Sequence, residues 1–380
     1  MSEWKETKIS DIADFNVNSI NKDFKFNFIE YIDTSSVEKG RLLNTQKLKL
    51  KEAPSRAKRR VQKNDILISS VRPNLEHYYF IKKCSKNTIV STGFVVITPK
   101  EITDPYFLYC LLTSQKYTQY LTSIANSHTS TYPSFNPDII SDSILPIPGI
   151  QEQKRIAAVL SCLDDKIENL RKQNETLEKI AQTLFKHWFI DFEFPNENGQ
   201  PYRSSGGAMQ PSELGAIPAG WRVGKLGDVV DVFTGFPFKS DLYSFDSGIR
   251  VVRGENVSLG FLRWDTEKRW NHDIDSYDNY FLQKNDYIIG MDGSRVGKNR
   301  TIIFESSLPL LLAQRVAGLR AKKSTFYQGY INILLMNKKF EKYVDFIKTG
   351  TSIPHISGKQ IKDFECLVPC HDSLKKFQIF

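Results

Sequence analysis

The sequence repeats itself at long range, and that limits what the chain can fold into. W-K-E-T-K-I-S-D-I-A-D begins at Trp4, and W-R-V-G-K-L-G-D-V-V-D begins at Trp221, 217 residues later. N-D-I-L-I at Asn64 is answered by N-D-Y-I-I at Asn285, an offset of 221. S-T-Y-P-S-F at Ser130 is answered by T-S-I-P-H-I at Thr351, again 221. Ile140 and Asp142 match Ile361 and Asp363, and the copies close on Leu145-Pro146 and Val368-Pro369. Chance supplies any one of these matches. Several in the same order and nearly the same register predict a tandem duplication. At roughly 150 residues per domain, a chain of 380 has room for both copies.

Within each copy the pattern is mixed. Residues 65–71, DILISSV, and 93–97, GFVVI, are short and β-branched, as strands are. Residues 105–123 have helical spacing, with Phe107, Leu108, Leu111, Leu112 and Tyr120 toward one side. The second copy offers DYIIGM, QRVAGL and the helical YQGYINILLMNKKFEKYVDFI. The expected class is α+β, with two similar domains at 1–150 and 221–370 and a short stub at 371–380.

Residues 151–190 between the copies read as one long helix. Ile156, Leu163, Leu170, Leu177 and Leu184 recur every seven residues, and Leu160, Ile167, Asn174, Ala181 and Trp188 take the second seam position. Neither Pro nor Gly interrupts the run. At 1.5 Å per residue it spans roughly 58 Å. A period of 3.5 predicts a coiled-coil seam that packs on another helix. The alternative is an amphipathic helix lying on a globular domain. Asn174 in the seam either fixes register or is a tolerated polar residue. Residues 191–220 follow as a Gly/Pro-rich surface connector.

Composition narrows the class further. Hydrophobic residues at 40% and charged ones at 25% exclude disorder as the main state. No apolar run approaches the roughly 18 residues of a membrane span, and the first residues, MSEWKETKIS, are polar, without the apolar stretch expected of a signal peptide. Five Cys fit a reducing cytoplasm better than a disulfide framework. The net charge of +9 permits a nucleic-acid partner without demanding one.

Two stretches are distinctive: residues 145–195, LPIPGIQEQKRIAAVLSCLDDKIENLRKQNETLEKIAQTLFKHWFIDFEFP, and residues 199–221, GQPYRSSGGAMQPSELGAIPAGW. On these the chain resembles the specificity subunits of type I restriction-modification systems. The resemblance implies two target recognition domains, each reading half of a bipartite double-stranded DNA site. It implies antiparallel pairing of the helices that follow each copy, as a ruler between half-sites. Two modification subunits would supply S-adenosylmethionine chemistry, and restriction subunits would complete an ATP- and Mg-dependent nuclease. The chain itself is then expected to bind no cofactor and to be non-catalytic. After the second copy stands only CHDSLKKFQIF, which looks like the beginning of the family's distal helix. A natural truncation, a phase-variable product and a partial chain are the three explanations. Each leaves assembly with two modification subunits open, with self-association through the unpaired seam as the expected consequence.

Motifs for chemistry of the chain's own are weak. Asn136-Pro137-Asp138-Ile139 lacks the second Pro and the aromatic of an adenine methyltransferase loop. Residues 293–299, GSRVGKN, are one residue short of a P-loop, with Asn where a Mg-binding hydroxyl belongs. A stand-alone metal-dependent nuclease, the alternative of another class, would draw on Asp138, Glu152 and Lys154. Cys366, Cys370 and His371 lack a second ligand pair at zinc-like spacing.

DNA contact needs cations for phosphates and fixed side chains for base edges. The densest basic run, residues 47–63, carries Lys51, Arg56, Lys58, Arg59 and Arg60 and reads as a loop facing the duplex; a solvated surface is the alternative. Its counterpart in the second copy is Arg295, Lys298 and Arg300. Arg72 and Arg295 follow the same strand in their respective copies, which makes them the leading candidates for bidentate contacts. Ser130, Thr131, Tyr132, Thr351 and Ser352 are paired between copies, and their hydroxyls either bond phosphates or shape a turn.

Overall fold

The computed structural model describes residues 4–128, 133–272, 275–322, 328–350 and 353–377. The chain forms two compact units, one up to Gln173 and one from Asn174 on.

In the first unit, the strand Ile66–Ser69 lies between Phe94–Pro99 and Tyr78–Phe80, and Ala13–Phe15 completes an antiparallel sheet of four. All four residues of Ile66–Ser69 are buried, which is why the segment reads as a continuous apolar run. The helices Pro105–Leu112 and Gln115–His128 follow the sheet, and Ile66, Ile68, Val95, Ile97, Phe107, Leu108 and Leu121 share one core. A second four-stranded sheet runs Gln46–Lys49, Phe28–Ile32, Thr88–Ser91, Ala57–Arg60, with the middle pair parallel. Lys5–Lys8 pairs with Ile144–Ile147.

The second unit repeats this plan. Val230–Thr234, Val316–Ala321, Tyr287–Gly290 and Arg300–Ile302 form the antiparallel sheet in the same order. Ile249–Val252 runs parallel to Leu310–Leu312, as Phe28–Ile32 does to Thr88–Ser91. Arg222–Lys225 pairs with Glu365–Val368. The duplication read from scattered matches is therefore one of topology, although among the described residues the mixed sheet has three strands in the second unit where the first has four.

The helical segment 105–123 is two helices, not one. Thr113 ends the first, its hydroxyl and N–H both donating to the Tyr109 carbonyl, and Ser114 Oγ accepts from the Tyr117 N–H at 3.4 Å to start the second. In the second unit Asn337 makes the same break, accepting from the Lys339 N–H at 3.0 Å ahead of the helix Lys338–Ile347. The connector also departs from expectation, because Met209–Gln210 pairs with Ile217–Pro218. Beneath it Phe194 stacks on Trp221 at 5.1 Å, so the connector has a packed anchor.

The long helix spans Ile150–Phe189. Its first turns dock on the first unit: buried Gln153 accepts from the Thr103 hydroxyl and the Asp104 N–H, both at 2.8 Å, and Ala157 is buried in the core. Its last turns dock on the second unit, where Phe185, Trp188 and Phe189 join Trp221, Tyr330 and Phe377. Between them Leu163, Ile167, Leu170 and Leu177 are 44–62% exposed. The ends therefore lie on globular cores, and the heptad positions between them are left exposed by the described residues.

Each unit hides one carboxylate at the start of its central strand. Asp65 and Asp286 are each 1% exposed and each accept the backbone N–H of a Gln three residues earlier, at 2.8 and 2.7 Å. Their remaining partners differ. Thr98 donates to Asp65 at 2.8 Å, whereas Arg320 grips Asp286 with Nε at 2.8 Å and Nη2 at 2.6 Å. With no cation among the described residues beside it, burial pushes the Asp65 carboxyl up to about 6. An unfolded Asp titrates near 3.9, so the folded first unit binds the proton more tightly than the unfolded chain. The stability Asp65 contributes is full below about pH 4 and is lost as pH rises through about 6. Unfolding free energies of wild type and Asp65→Asn, followed from pH 4 to 7, should diverge over this window by up to about 3 kcal/mol. Arg320→Thr places the first unit's partner type beside Asp286 but leaves its charge uncompensated; denaturant unfolding should show a loss of about 3 kcal/mol in the second unit at pH 7.

Candidate nucleic-acid interface

The loop leaving the central strand is held by main-chain hydrogen bonds in both units. In the first, the Ser70 N–H donates to the Gly93 carbonyl at 2.9 Å, Arg72 N–H to Pro133 at 2.8 Å, and Phe135 N–H to Ser70 at 3.0 Å. In the second, Met291 N–H donates to Arg315 at 3.0 Å, Gly293 N–H to Pro354 at 3.0 Å, and Ile356 N–H to Met291 at 2.9 Å. Bridges Val71–Ser134 and Asp292–His355 complete the match. By this register the counterpart of Arg72 is Gly293, not Arg295. The backbone explains the pairing: φ is +49° at Arg72 and +90° at Gly293, a left-handed conformation that costs glycine nothing. Arg295 stands two residues further along the turn, exposed. Arg72 is exposed as well.

The basic run of the first unit is not one loop. Residues 47–49 and 57–60 lie in the strands Gln46–Lys49 and Ala57–Arg60, and Lys51 is exposed in the turn Leu50–Glu52 between them. Arg56 and Lys58 are exposed, and the Arg56 carbonyl accepts from the Thr92 N–H at 2.9 Å, beside the pinned loop. Arg59 is half-buried and donates to the Phe94 carbonyl at 2.5 Å, joining the two sheets. Burial lowers the pKa of its guanidinium. Arg60 lies 5.9 Å from the Phe24 ring centroid. Arg59 is thus corrected from a phosphate contact to a structural residue.

Arg300 requires the same correction. It is 2% exposed, donates to the Gly297 carbonyl at 2.9 Å and pairs with Glu341 at 2.7 Å, so it fastens its strand to the helix Lys338–Ile347 and cannot reach DNA. Lys298 is half-exposed and pairs with Asp345 at 3.3 Å. Ser130, Thr131, Tyr132, Thr351 and Ser352 lie outside the described residues. The exposed candidates are therefore Lys51, Arg56, Lys58 and Arg72 in the first unit and Arg295 in the second, with Lys298 beside it.

The weak catalytic motifs take structural roles. In the P-loop-like turn, a Cβ on Gly297 would stand 2.6 Å from the Val344 side chain, so this glycine admits a helix rather than a phosphate. Asn136 Oδ1 accepts from the Asp138 N–H at 3.2 Å ahead of the short helix Asp138–Ser141. Glu152 accepts from Trp4 Nε1 at 3.4 Å. Cys366 is buried, and that burial pushes its thiol up to about 12. Among the described residues no group of three His, Cys, Asp or Glu side chains could hold a metal.

Comparison with known proteins bears on the whole chain. A family model described as the type I restriction modification DNA specificity domain matches residues 1–179 and 218–373. The type I restriction enzyme HindI specificity subunit of Haemophilus influenzae is 38% identical over 223 residues, which cover 58% of this chain and 48% of that protein. The MjaIX specificity subunit of Methanocaldococcus jannaschii is 29% identical over 297 residues, covering 77% and 65%. The chain thus spans about half to two thirds of the length of these relatives. The solved type I restriction-modification S subunit of M. genitalium shares the fold, with a TM-score of 0.56 at 15% identity over 99% of this chain and 87% of that one. With both copies of its domain matched, the chain belongs to the type I restriction modification DNA specificity domain family.

Proposed function

We propose that the chain is the DNA-reading subunit of a type I restriction-modification complex, each unit addressing one half of a bipartite duplex target. The observation that carries this reading is the twinned loop. The same main-chain pins hold it at the same edge of both sheets, with Arg56 and Arg72 exposed near it in one unit and Arg295 in the other. Two copies of one reader suit a target in two parts, and exposed cations beside a fixed loop suit phosphate contact with nearby base reading.

In this proposal the chain contributes recognition and no catalysis. Modification subunits bring S-adenosylmethionine and the methyl-transfer chemistry, and restriction subunits bring ATP- and Mg-dependent cleavage. The work is done on double-stranded DNA in the cytoplasm. The exposed seam residues Leu163, Ile167, Leu170 and Leu177 are the surface for helix–helix contact, including self-association. The long helix serves as the ruler between half-sites. Among the described residues no helix is long and apolar enough to cross a membrane.

The test is enrichment of a bipartite motif from a randomised duplex pool by the full chain, alone and with its modification subunits. Failure of both preparations to enrich any motif would overturn the proposal. Arg72→Ala and Arg295→Ala should each cost roughly 1–3 kcal/mol of specific binding, read as a gel-shift Kd against the selected duplex. Inserting one heptad between Leu163 and Leu170 lengthens the helix by about 10 Å, so the preferred gap between half-sites should grow by about three base pairs.

A further inference from the structure

The second unit carries a cleft of about 290 Å³ at the same edge as its pinned loop. Phe236 and Phe238 form one wall, and Arg253, Glu255, Asp292 and Arg315 stand around it. The cleft is built by close backbone approach. Phe236 N–H donates to the Leu312 carbonyl at 2.9 Å, and a Cβ on Gly235 would stand 2.0 Å from that oxygen. The aromatic wall is braced from behind, with Phe236 packed edge-on against Tyr277 at 4.9 Å.

The charges in the cleft are paired. Arg315 Nη1 donates to Asp292 Oδ2 at 3.2 Å; the arginine side chain is 63% exposed and the aspartate 26%. Arg253 donates to the Thr266 carbonyl at 2.8 Å, pairs with Glu255, and lies 5.6 Å from the Tyr243 ring centroid. Two guanidinium groups face two carboxylates, so the cleft is close to neutral. A phosphate entering it would meet both carboxylates. A base edge presents neutral donors and acceptors, and an exposed arginine with one N–H on a carboxylate keeps further N–H donors that match the O6 and N7 acceptors of guanine.

We infer that Arg315, with Asp292 as its positioning residue, reads a guanine edge in double-stranded DNA for the second unit. This inference rests on the DNA-reading role proposed above. It also separates the two units. Met291 N–H donates to the Arg315 carbonyl where Ser70 N–H donates to that of Gly93, so the first unit has glycine where the second has its reader. The effect of removing Arg315 is therefore confined to one half-site.

The experiment is motif enrichment from a randomised duplex pool by the full chain with its modification subunits, as wild type, Arg315→Ala, Arg315→Lys and Asp292→Asn. Arg315→Ala should lose a guanine preference at one or two positions of one half-site and keep the other half-site unchanged. Asp292→Asn should relax the same positions, and Arg315→Lys should restore part of the preference. Replacing that guanine by 7-deazaguanine, which lacks the N7 acceptor, should weaken wild-type binding by the order of tenfold. This last measurement needs no variant, so a folding defect in Arg315→Ala cannot mask the answer. An unchanged preference in Arg315→Ala, or wild-type binding indifferent to 7-deazaguanine at every guanine, overturns this inference while leaving DNA reading intact. Absence of any enriched motif for the wild type overturns the DNA reading beneath it.

Discussion

The buried carboxylate at the entrance to each central strand is the interaction on which the rest depends. Asp65 and Asp286 close the turn that begins the strand, and they do so out of contact with water. The preceding Asn64 and Asn285 turn the backbone left-handed, at φ +73° and +70°, which asparagine tolerates better than most residues. From that fixed start, four buried residues lead straight to the pinned loop at the other end of the strand. A shift of one residue would turn the strand's faces over and move the loop, so the position of the reading edge is set at the opposite end of the sheet. The units meet this requirement differently, one with a threonine and one with an arginine, on the same backbone.

Much of this organisation was legible in the sequence because it is periodic. The long helix was readable because heptad spacing survives without Pro or Gly, and its observed start lies one residue before the expected one. The duplication was readable because the turn residues recur in order. What escaped was whatever depends on the environment of a single side chain. Arg59 and Arg300 look like any other cations in a basic run, and only the fold shows one joined to the Phe94 carbonyl and the other enclosed beside Glu341. The matching of Arg72 with Gly293 was hidden for a related reason, since the shared property is a left-handed backbone and not a side chain. Arg315 carried no signal at all, because the glycine at the corresponding place in the first unit makes the two copies look unrelated there.

The long helix shows two kinds of stabilisation in one element. Its ends are held by specific packing, a triply bonded Gln153 at one end and a cluster of aromatic rings around Phe189 at the other. Its middle relies on helical propensity and on flanking charges such as the Glu168–Lys172 pair, an exposed contact worth a few tenths of a kcal/mol. Fully burying each leucine of that exposed stretch would contribute about 1.5–3 kcal/mol, so covering it would stabilise the helix far more than its surface charges do.

The pins shared by the two loops join main-chain atoms: Arg72 and Gly293 contribute N–H groups, and Pro133 and Pro354 contribute carbonyls, while the Ser69 and Ser70 hydroxyls add bonds in the first unit alone. Every residue type except proline can donate through its amide, so the identity of the donor's neighbours is almost irrelevant to whether the pin forms. A lineage can therefore exchange the outward side chains of these loops one at a time and acquire a new target while the scaffold that presents them stays folded.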